Sequence, residues 1–156
     1  METARLSDIK RALSTLTHKE IMNICVRLAR YRKENKELTS YLIFDADDHG
    51  LFIKQVKAEI DHQFSQMNLS SIYLAKKTVR KVLSTTNKYI KFSGSKQIEV
   101  ELLLHFCQRL KNSGLPYREY TVTENLYNRQ LLKIKSAILS LHEDLQFDYG
   151  KILEKL

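Results

Sequence analysis

The chain has 156 residues, of which 43% are hydrophobic and 28% charged, a composition typical of a globular protein with its own core. It carries 26 Lys and Arg against 18 Asp and Glu, which gives a formal net charge of +8. No apolar run exceeds four residues, which excludes a transmembrane helix, and the charged first ten residues do not follow the pattern of a secretory signal. We therefore expect a cytoplasmic protein with no membrane association.

The apolar residues recur at helical spacing along almost the whole chain, and one Pro and four Gly imply few turns. A first helix is predicted over residues 7–16. Thr17 and Glu20 have the spacing of a capping box and predict the start of a second helix, which runs to residue 31. The charged stretch 32–37 is predicted to end that helix.

An apolar patch at 41–44 and a polar break at 45–50 come next. Further helices are predicted over 51–66, 71–91, 96–112 and 124–143, with a last short helix after Asp148. The combination of Lys111, Gly114 and Pro116 is typical of a helix end. A second capping-box spacing, Thr121 with Glu124, predicts the start of the 124–143 helix. Residues 115–122 before it are predicted to be a loop or, alternatively, a short extended piece through 120–122.

No segment sustains the alternation of a strand, and Asn-Gly and Asp-Gly hairpin turns are absent. The sequence therefore predicts an all-α domain of six or seven antiparallel helices. They are arranged either as a bundle or as short HEAT-like stacked α-hairpins, because helix pairs start near residues 5, 50 and 95, about one repeat of ~40–47 residues apart. Residues 1–156 are assigned to a single domain, in which 1–44 could form a loosely attached N-terminal hairpin.

The positive charge is concentrated in one segment. Residues 62–98 contain seven Lys and Arg and no acid, whereas 1–61 have a net charge of +1 and 99–156 have none. Six of these cations are candidates for sequence-independent contacts with nucleic-acid phosphates: Lys76, Lys77, Arg80, Lys81, Lys88 and Lys91. Tyr89 and Phe92 could offer rings to bases. The alternative is a solvated helix face, partly paired with acidic residues.

A second candidate surface is the loop after Pro116. Tyr117, Arg118 and Tyr120 are residue types favoured at binding hot spots and are candidates for contacts with a protein partner. The alternative is that both rings lie over the ends of neighbouring helices, with the rings buried and the hydroxyls in water.

The sequence contains no complete catalytic or metal-binding motif. The segment 45–50 matches the start of a calcium loop, but Val56 stands where that loop needs a bidentate Glu. Its carboxylates also suit a helix N-terminus, and we predict no metal and no cofactor. P-loop, GxGxxG and GxSxG motifs are absent. An enzymatic site would need the fold to bring Asp47 and His49 to Tyr117.

The two cysteines, Cys25 and Cys107, lie 82 positions apart and have no metal-binding or redox spacing. Both fall inside apolar helical patterns. We therefore expect two buried free thiols in a reducing compartment.

Three segments resemble a family of small helical bacterial proteins of unknown function. They are 13–28, which contains Leu-Thr-x-Lys-Glu-Ile; 52–64, which reads Phe-Ile-Lys-x-Val-Lys-x-Glu-Ile-x-x-x-Phe; and 75–92, which contains the basic helix. The resemblance spans residues 13–92. It implies a compact, all-helical bacterial cytoplasmic protein and implies no activity.

The sequence thus favours a non-enzymatic helical interaction module with an unidentified protein partner, since nothing in the chain demands chemistry. The alternative is a nucleic-acid-associated protein that contacts phosphates through the basic helix 76–91. A homodimer is a further arrangement, which an exposed apolar patch would indicate.

Overall fold

The structure is a computed structural model that describes residues 2–156. Over this range the chain forms eight α-helices and no strand. The helices are α1 (Leu6–Leu13), α2 (His18–Tyr31), α3 (Lys33–Ser40), α4 (His49–Ser65), α5 (Ile72–Ser93), α6 (Lys96–Lys111), α7 (Thr121–Ile138) and α8 (Glu143–Leu153). A π-helical turn, Tyr41–Asp45, follows α3, and a 3-10 turn, Tyr117–Glu119, precedes α7. The all-α prediction is confirmed, although the predicted number of six or seven helices was too low.

Local signals correctly located several helix ends. The Thr17 hydroxyl accepts a hydrogen bond from the Glu20 amide at 3.3 Å, and the Glu20 carboxylate accepts one from the Thr17 amide at 2.8 Å, so the predicted capping box is confirmed. The α5 helix stops at Gly94, whose φ of 60° lies in the left-handed region that glycine tolerates. The α6 helix ends at Lys111, as its stop signal predicted.

The α2 helix ends at Tyr31, at the start of the charged stretch, as predicted. The rest of that stretch was not expected to be helical, yet it begins α3 at Lys33. Arg32 separates α2 from α3 by adopting an extended conformation, with φ −144° and ψ 151°. No proline or glycine separates the two helices, so the start of α3 at Lys33 gives little sequence signal. A hydrogen bond of 2.9 Å from the Asn35 side chain to the Leu28 carbonyl spans the junction.

The starts of the last two helices also differ from prediction. The α7 helix begins at Thr121, directly after Tyr120, and no side chain caps it, so the second capping box and the extended piece were wrong. The α8 helix begins at Glu143, before the predicted position, and the His142 ring accepts a hydrogen bond from the Asp144 amide at 3.4 Å. Histidine is not among the preferred capping residues, so this start gives little sequence signal.

The described chain divides into two compact units, the first ending at Asp45 and the second comprising Ala46–Leu156. In the first unit, α2 packs against α3. In the second unit, α6 packs against α4, α5, α7 and α8, so this unit is a bundle around one central helix. No helix within residues 2–156 has the length and apolar character needed to cross a bilayer.

The central helix explains the core of the second unit. Eight of the 16 residues of α6 are buried, because four helices pack against it. The Phe106 ring lies 5.7 Å from the ring of Phe64 on α4, and Ile134 of α7 is fully buried in the same unit. Burial of side chains of this size stabilises the fold by about 1.5–3 kcal/mol each.

Candidate binding surfaces

The first unit presents apolar side chains that its own helices do not cover. None of the residues of α1, α2 or α3 is buried. Eight large apolar side chains of this unit are between 45% and 81% exposed: Leu6, Met22, Val26, Leu28, Tyr31, Leu42, Ile43 and Phe44. A helical unit of this length has too little chain to enclose a core, so its amphipathic helices keep an accessible apolar face.

A groove of about 380 Å³ lies on this unit, between α2 and α3. It is lined by Met22, Cys25, Val26, Ala29, Arg30, Lys36, Thr39 and Ile43. The first four of these recur at intervals of three and four residues, so they share one face of α2. The groove therefore combines an apolar helix face with two cations, and no carboxylate lines it.

The two cysteines have opposite environments, so the expectation of two buried thiols was half wrong. Cys107 is fully buried in α6, and this burial raises the pKa of its thiol to about 12. Cys25 is exposed on α2 and lines the apolar groove, because α3 covers this face of α2 only in part. The apolar pattern alone could not reveal this difference.

The six predicted cations of the basic helix all lie on α5 but differ in environment. Lys77, Arg80, Lys81 and Lys91 are exposed, whereas Lys76 and Lys88 are half-buried. The Lys76 ammonium lies 3.8 Å from the centre of the Tyr120 ring, and that of Lys88 lies 4.7 Å from the Tyr89 ring. The face is therefore solvated at four positions, and two of its cations contact aromatic rings.

A second groove, of about 580 Å³, lies between α5 and α7. It is lined by Arg80, Leu83, Val122, Asn125, Leu126, Arg129, Gln130 and Lys133. Sequence reasoning selected Arg80 but missed Arg129 and Lys133, because residues 99–156 have no net charge. Their proximity to Arg80 depends on α5 and α7 both packing against α6. Three cations and no carboxylate line this groove.

The three residues of the loop after Pro116 have different surroundings. Tyr117 is buried, with its ring 4.8 Å from the ring of Tyr127. Arg118 is exposed, and its guanidinium lies 5.7 Å from the Tyr117 ring. Tyr120 is half-buried beneath Lys76. A partner approaching this loop would therefore meet Arg118 and one edge of Tyr120, while the Tyr117 ring belongs to the core.

The polar groups that could have formed a catalytic site are engaged with one another. The Lys57 ammonium lies 2.7 Å from Glu101, and the Tyr149 hydroxyl donates to the same carboxylate at 2.9 Å. Nearby, Asp61 Oδ1 lies 2.6 Å from Nε2 of His105 and 3.0 Å from Nε of Arg109. The adjoining cavity has a volume of only about 130 Å³. These residues therefore act as links between helices.

The acidic segment 45–50 serves as a helix start. Asp48 Oδ1 accepts a hydrogen bond from the Leu51 amide at 2.9 Å and caps α4. No group of three or more His, Cys, Asp or Glu residues suited to hold a metal ion occurs among residues 2–156. Nothing in these contacts joins Asp47 and His49 to the buried Tyr117.

No family model, curated protein or solved structure matches the chain. The resemblance stated for residues 13–92 therefore stays a prediction.

Proposed function

We propose that the protein is a non-enzymatic helical interaction module whose first unit binds an amphipathic helix of a protein partner in the groove between α2 and α3. The observation that carries this proposal is the uncovered apolar face of α2, on which Met22 and Val26 are half-exposed. A large apolar face left open to water is a property of interaction sites, since its burial by a partner is favourable.

The lining of the groove indicates the chemistry of the partner. An α-helix fits an apolar groove by inserting side chains spaced three and four residues apart. Arg30 and Lys36 are exposed beside the apolar face, and no carboxylate in the groove opposes them. A partner helix that carries Asp or Glu beside its apolar residues would be electrostatically complementary to this site.

The same charges disfavour a second copy of this chain as the occupant. The α2 helix itself carries three cations, Lys19, Arg27 and Arg30, against the single acid Glu20. Packing α2 of one copy into the groove of another would bring these cations towards Arg30 and Lys36. Such like-charge contacts oppose association, so we favour an acidic partner over a homodimer.

The non-enzymatic part of the proposal is supported by the polar clusters of the second unit. Glu101 is engaged by Lys57 and Tyr149, and Asp61 by His105 and Arg109, so these groups stabilise helix contacts.

The test uses two fluorescein-labelled model helices with the same leucine face, one flanked by Glu and the other by Lys. We expect the Glu-flanked peptide to bind in fluorescence anisotropy at least tenfold more tightly than the Lys-flanked peptide. Val26→Asp places a charge in the groove and should abolish this binding. Leu28→Asp is the matched control, because it adds the same charge to α2 at an exposed residue that does not line the groove.

Charge reversal tests the recognition itself. The double variant Arg30→Glu/Lys36→Glu should prefer the Lys-flanked peptide. Equal binding of both peptides to the unmodified protein, or equal binding by the Val26→Asp and Leu28→Asp variants, would overturn the proposal. A concentration-dependent dimer in light scattering that Val26→Asp abolishes would assign the groove to a second copy instead.

A further inference from the structure

The groove between α5 and α7 combines an apolar surface with unopposed positive charge. Leu83, Val122 and Leu126 supply its apolar part, and Arg80, Arg129 and Lys133 supply its cations. All three cations are exposed, and none of them takes part in an ion pair within residues 2–156. A recess with this composition attracts an anion that also carries apolar surface.

The cations follow the length of the groove. Near the start of α7, Lys76 of α5 contacts Tyr120. Further along α5, Arg80 and Leu83 line the groove together with residues 122–133. The two helices therefore run in the same direction. Along α7, the lining residues Val122, Leu126, Arg129 and Lys133 are spaced by four, three and four positions and share one face. Arg129 and Lys133 are therefore about 6 Å apart along the helix axis, with Arg80 across the groove.

We infer that this groove binds a single strand of nucleic acid, with Arg80, Arg129 and Lys133 contacting phosphates and the apolar residues contacting bases. This site lies wholly within the second unit and is independent of the peptide groove proposed above. Proteins that bind single strands combine a basic groove with surfaces on which bases stack. A duplex keeps its bases inside its stack, so it would leave the apolar part of the groove unused.

An exposed aromatic ring favours a nucleic acid over an acidic peptide. Tyr73 is 74% exposed on α5, two turns before Arg80 on the same face, so its ring is available for a base.

The test is fluorescence anisotropy with labelled mixed-sequence single-stranded DNA and RNA and a duplex of the same length, over a range of salt. For three phosphate contacts on a single strand, we expect log K to fall with log salt with a slope of about −2. Arg129→Gln/Lys133→Gln should reduce this slope to about −0.7 and weaken binding at least tenfold at low salt. The matched control Lys54→Gln/Lys135→Gln removes the same charge from exposed positions outside the groove and should bind like the unmodified protein.

Tyr73→Ala distinguishes a nucleic acid from another polyanion. It should weaken oligonucleotide binding about fivefold or more and leave the affinity of the protein for polyglutamate unchanged, since only bases stack on the ring. The inference is overturned if the duplex binds as tightly as the single strand. It is also overturned if the groove and control variants bind alike, or if polyglutamate displaces the oligonucleotide at equal charge concentration. That last outcome would assign the groove to an acidic protein segment.

Discussion

The hydroxyl of Tyr149 donates a 2.9 Å hydrogen bond to the carboxylate of Glu101 and so joins α8 to the central helix α6. The other oxygen of that carboxylate lies 2.7 Å from the Lys57 ammonium on α4. The pKa of Tyr149 is raised to about 12, chiefly because the phenol is buried and secondly because it donates a hydrogen bond to Glu101. Three helices of the second unit thus meet at one carboxylate, and the titration of the Tyr149 phenol depends on whether that junction is formed.

We predict that this junction makes the fold sensitive to alkaline pH. The pKa of Tyr149 is about 10 in the unfolded chain and about 12 in the folded protein, so only the folded state keeps the proton between these values. Its stabilising contribution is complete below pH 10 and is lost as the pH rises through 12. Urea unfolding over this range should show a falling free energy of unfolding.

The variant Tyr149→Phe should make this pH dependence shallower, because its ring has no proton to lose. A residual slope is expected, since burial also raises the pKa of Tyr127. Tyr31→Phe is the control, because Tyr31 is 74% exposed and its replacement should leave the slope unchanged. An unchanged slope in Tyr149→Phe would show that the junction does not control the alkaline transition.

Truncation of a leucine should lower the free energy of unfolding much more in the second unit than in the first. Leu103 is fully buried in α6, and Leu103→Ala should lower the free energy of unfolding by about 2–5 kcal/mol, because it leaves a cavity. Leu28→Ala removes the same atoms from a half-exposed position on α2 and should change it by less than about 0.5 kcal/mol. A large effect of Leu28→Ala in urea unfolding would mean that α2 is covered in solution.

Loss of a helix cap should also have different effects in the two units. Thr17→Ala removes the capping box of α2 and should destabilise that helix by about 1 kcal/mol, which appears as faster amide hydrogen exchange confined to α2. Ser95→Ala removes the cap of the central helix, where the Ser95 hydroxyl accepts from the Ile98 amide at 3.4 Å. This second variant should lower the global free energy of unfolding instead.

The features that were predictable from sequence depend on partners a few residues apart. Thr17 and Glu20, or Lys111 and Gly114, act within one or two helical turns, so their spacing is sufficient to predict a helix start or end. The end of α2 at Tyr31 was predicted, but α3 was missed, because an extended residue between two helices needs no glycine or proline to mark it. Local spacing thus determined the all-α class and several helix bounds.

The two candidate surfaces required the tertiary structure. The apolar stripe that carries Cys25 looks the same in sequence as the stripe that carries Cys107, although the surrounding helices bury only Cys107. Arg80 and Arg129 are 49 positions apart and become neighbours only because α5 and α7 pack against α6. Charge counted along the chain therefore identified one wall of the basic groove and missed the other.

The two thiols provide a direct test of the peptide groove. Because the thiolate is the reactive form, the buried Cys107, with a pKa of about 12, should resist iodoacetamide at neutral pH, whereas the exposed Cys25 should react. Mass spectrometry should find one modified cysteine in the native protein, two in urea, and none in native Cys25→Ala.

Occupation of the groove should then protect Cys25, which lines it. Saturating amounts of the Glu-flanked peptide should slow the alkylation of Cys25 at least fivefold, and the Lys-flanked peptide should have little effect at the same concentration. If the Glu-flanked peptide binds but the alkylation rate stays the same, the peptide occupies another surface. Equal reactivity of both thiols without peptide would mean that the core around Cys107 opens readily, in conflict with its packing in the central helix.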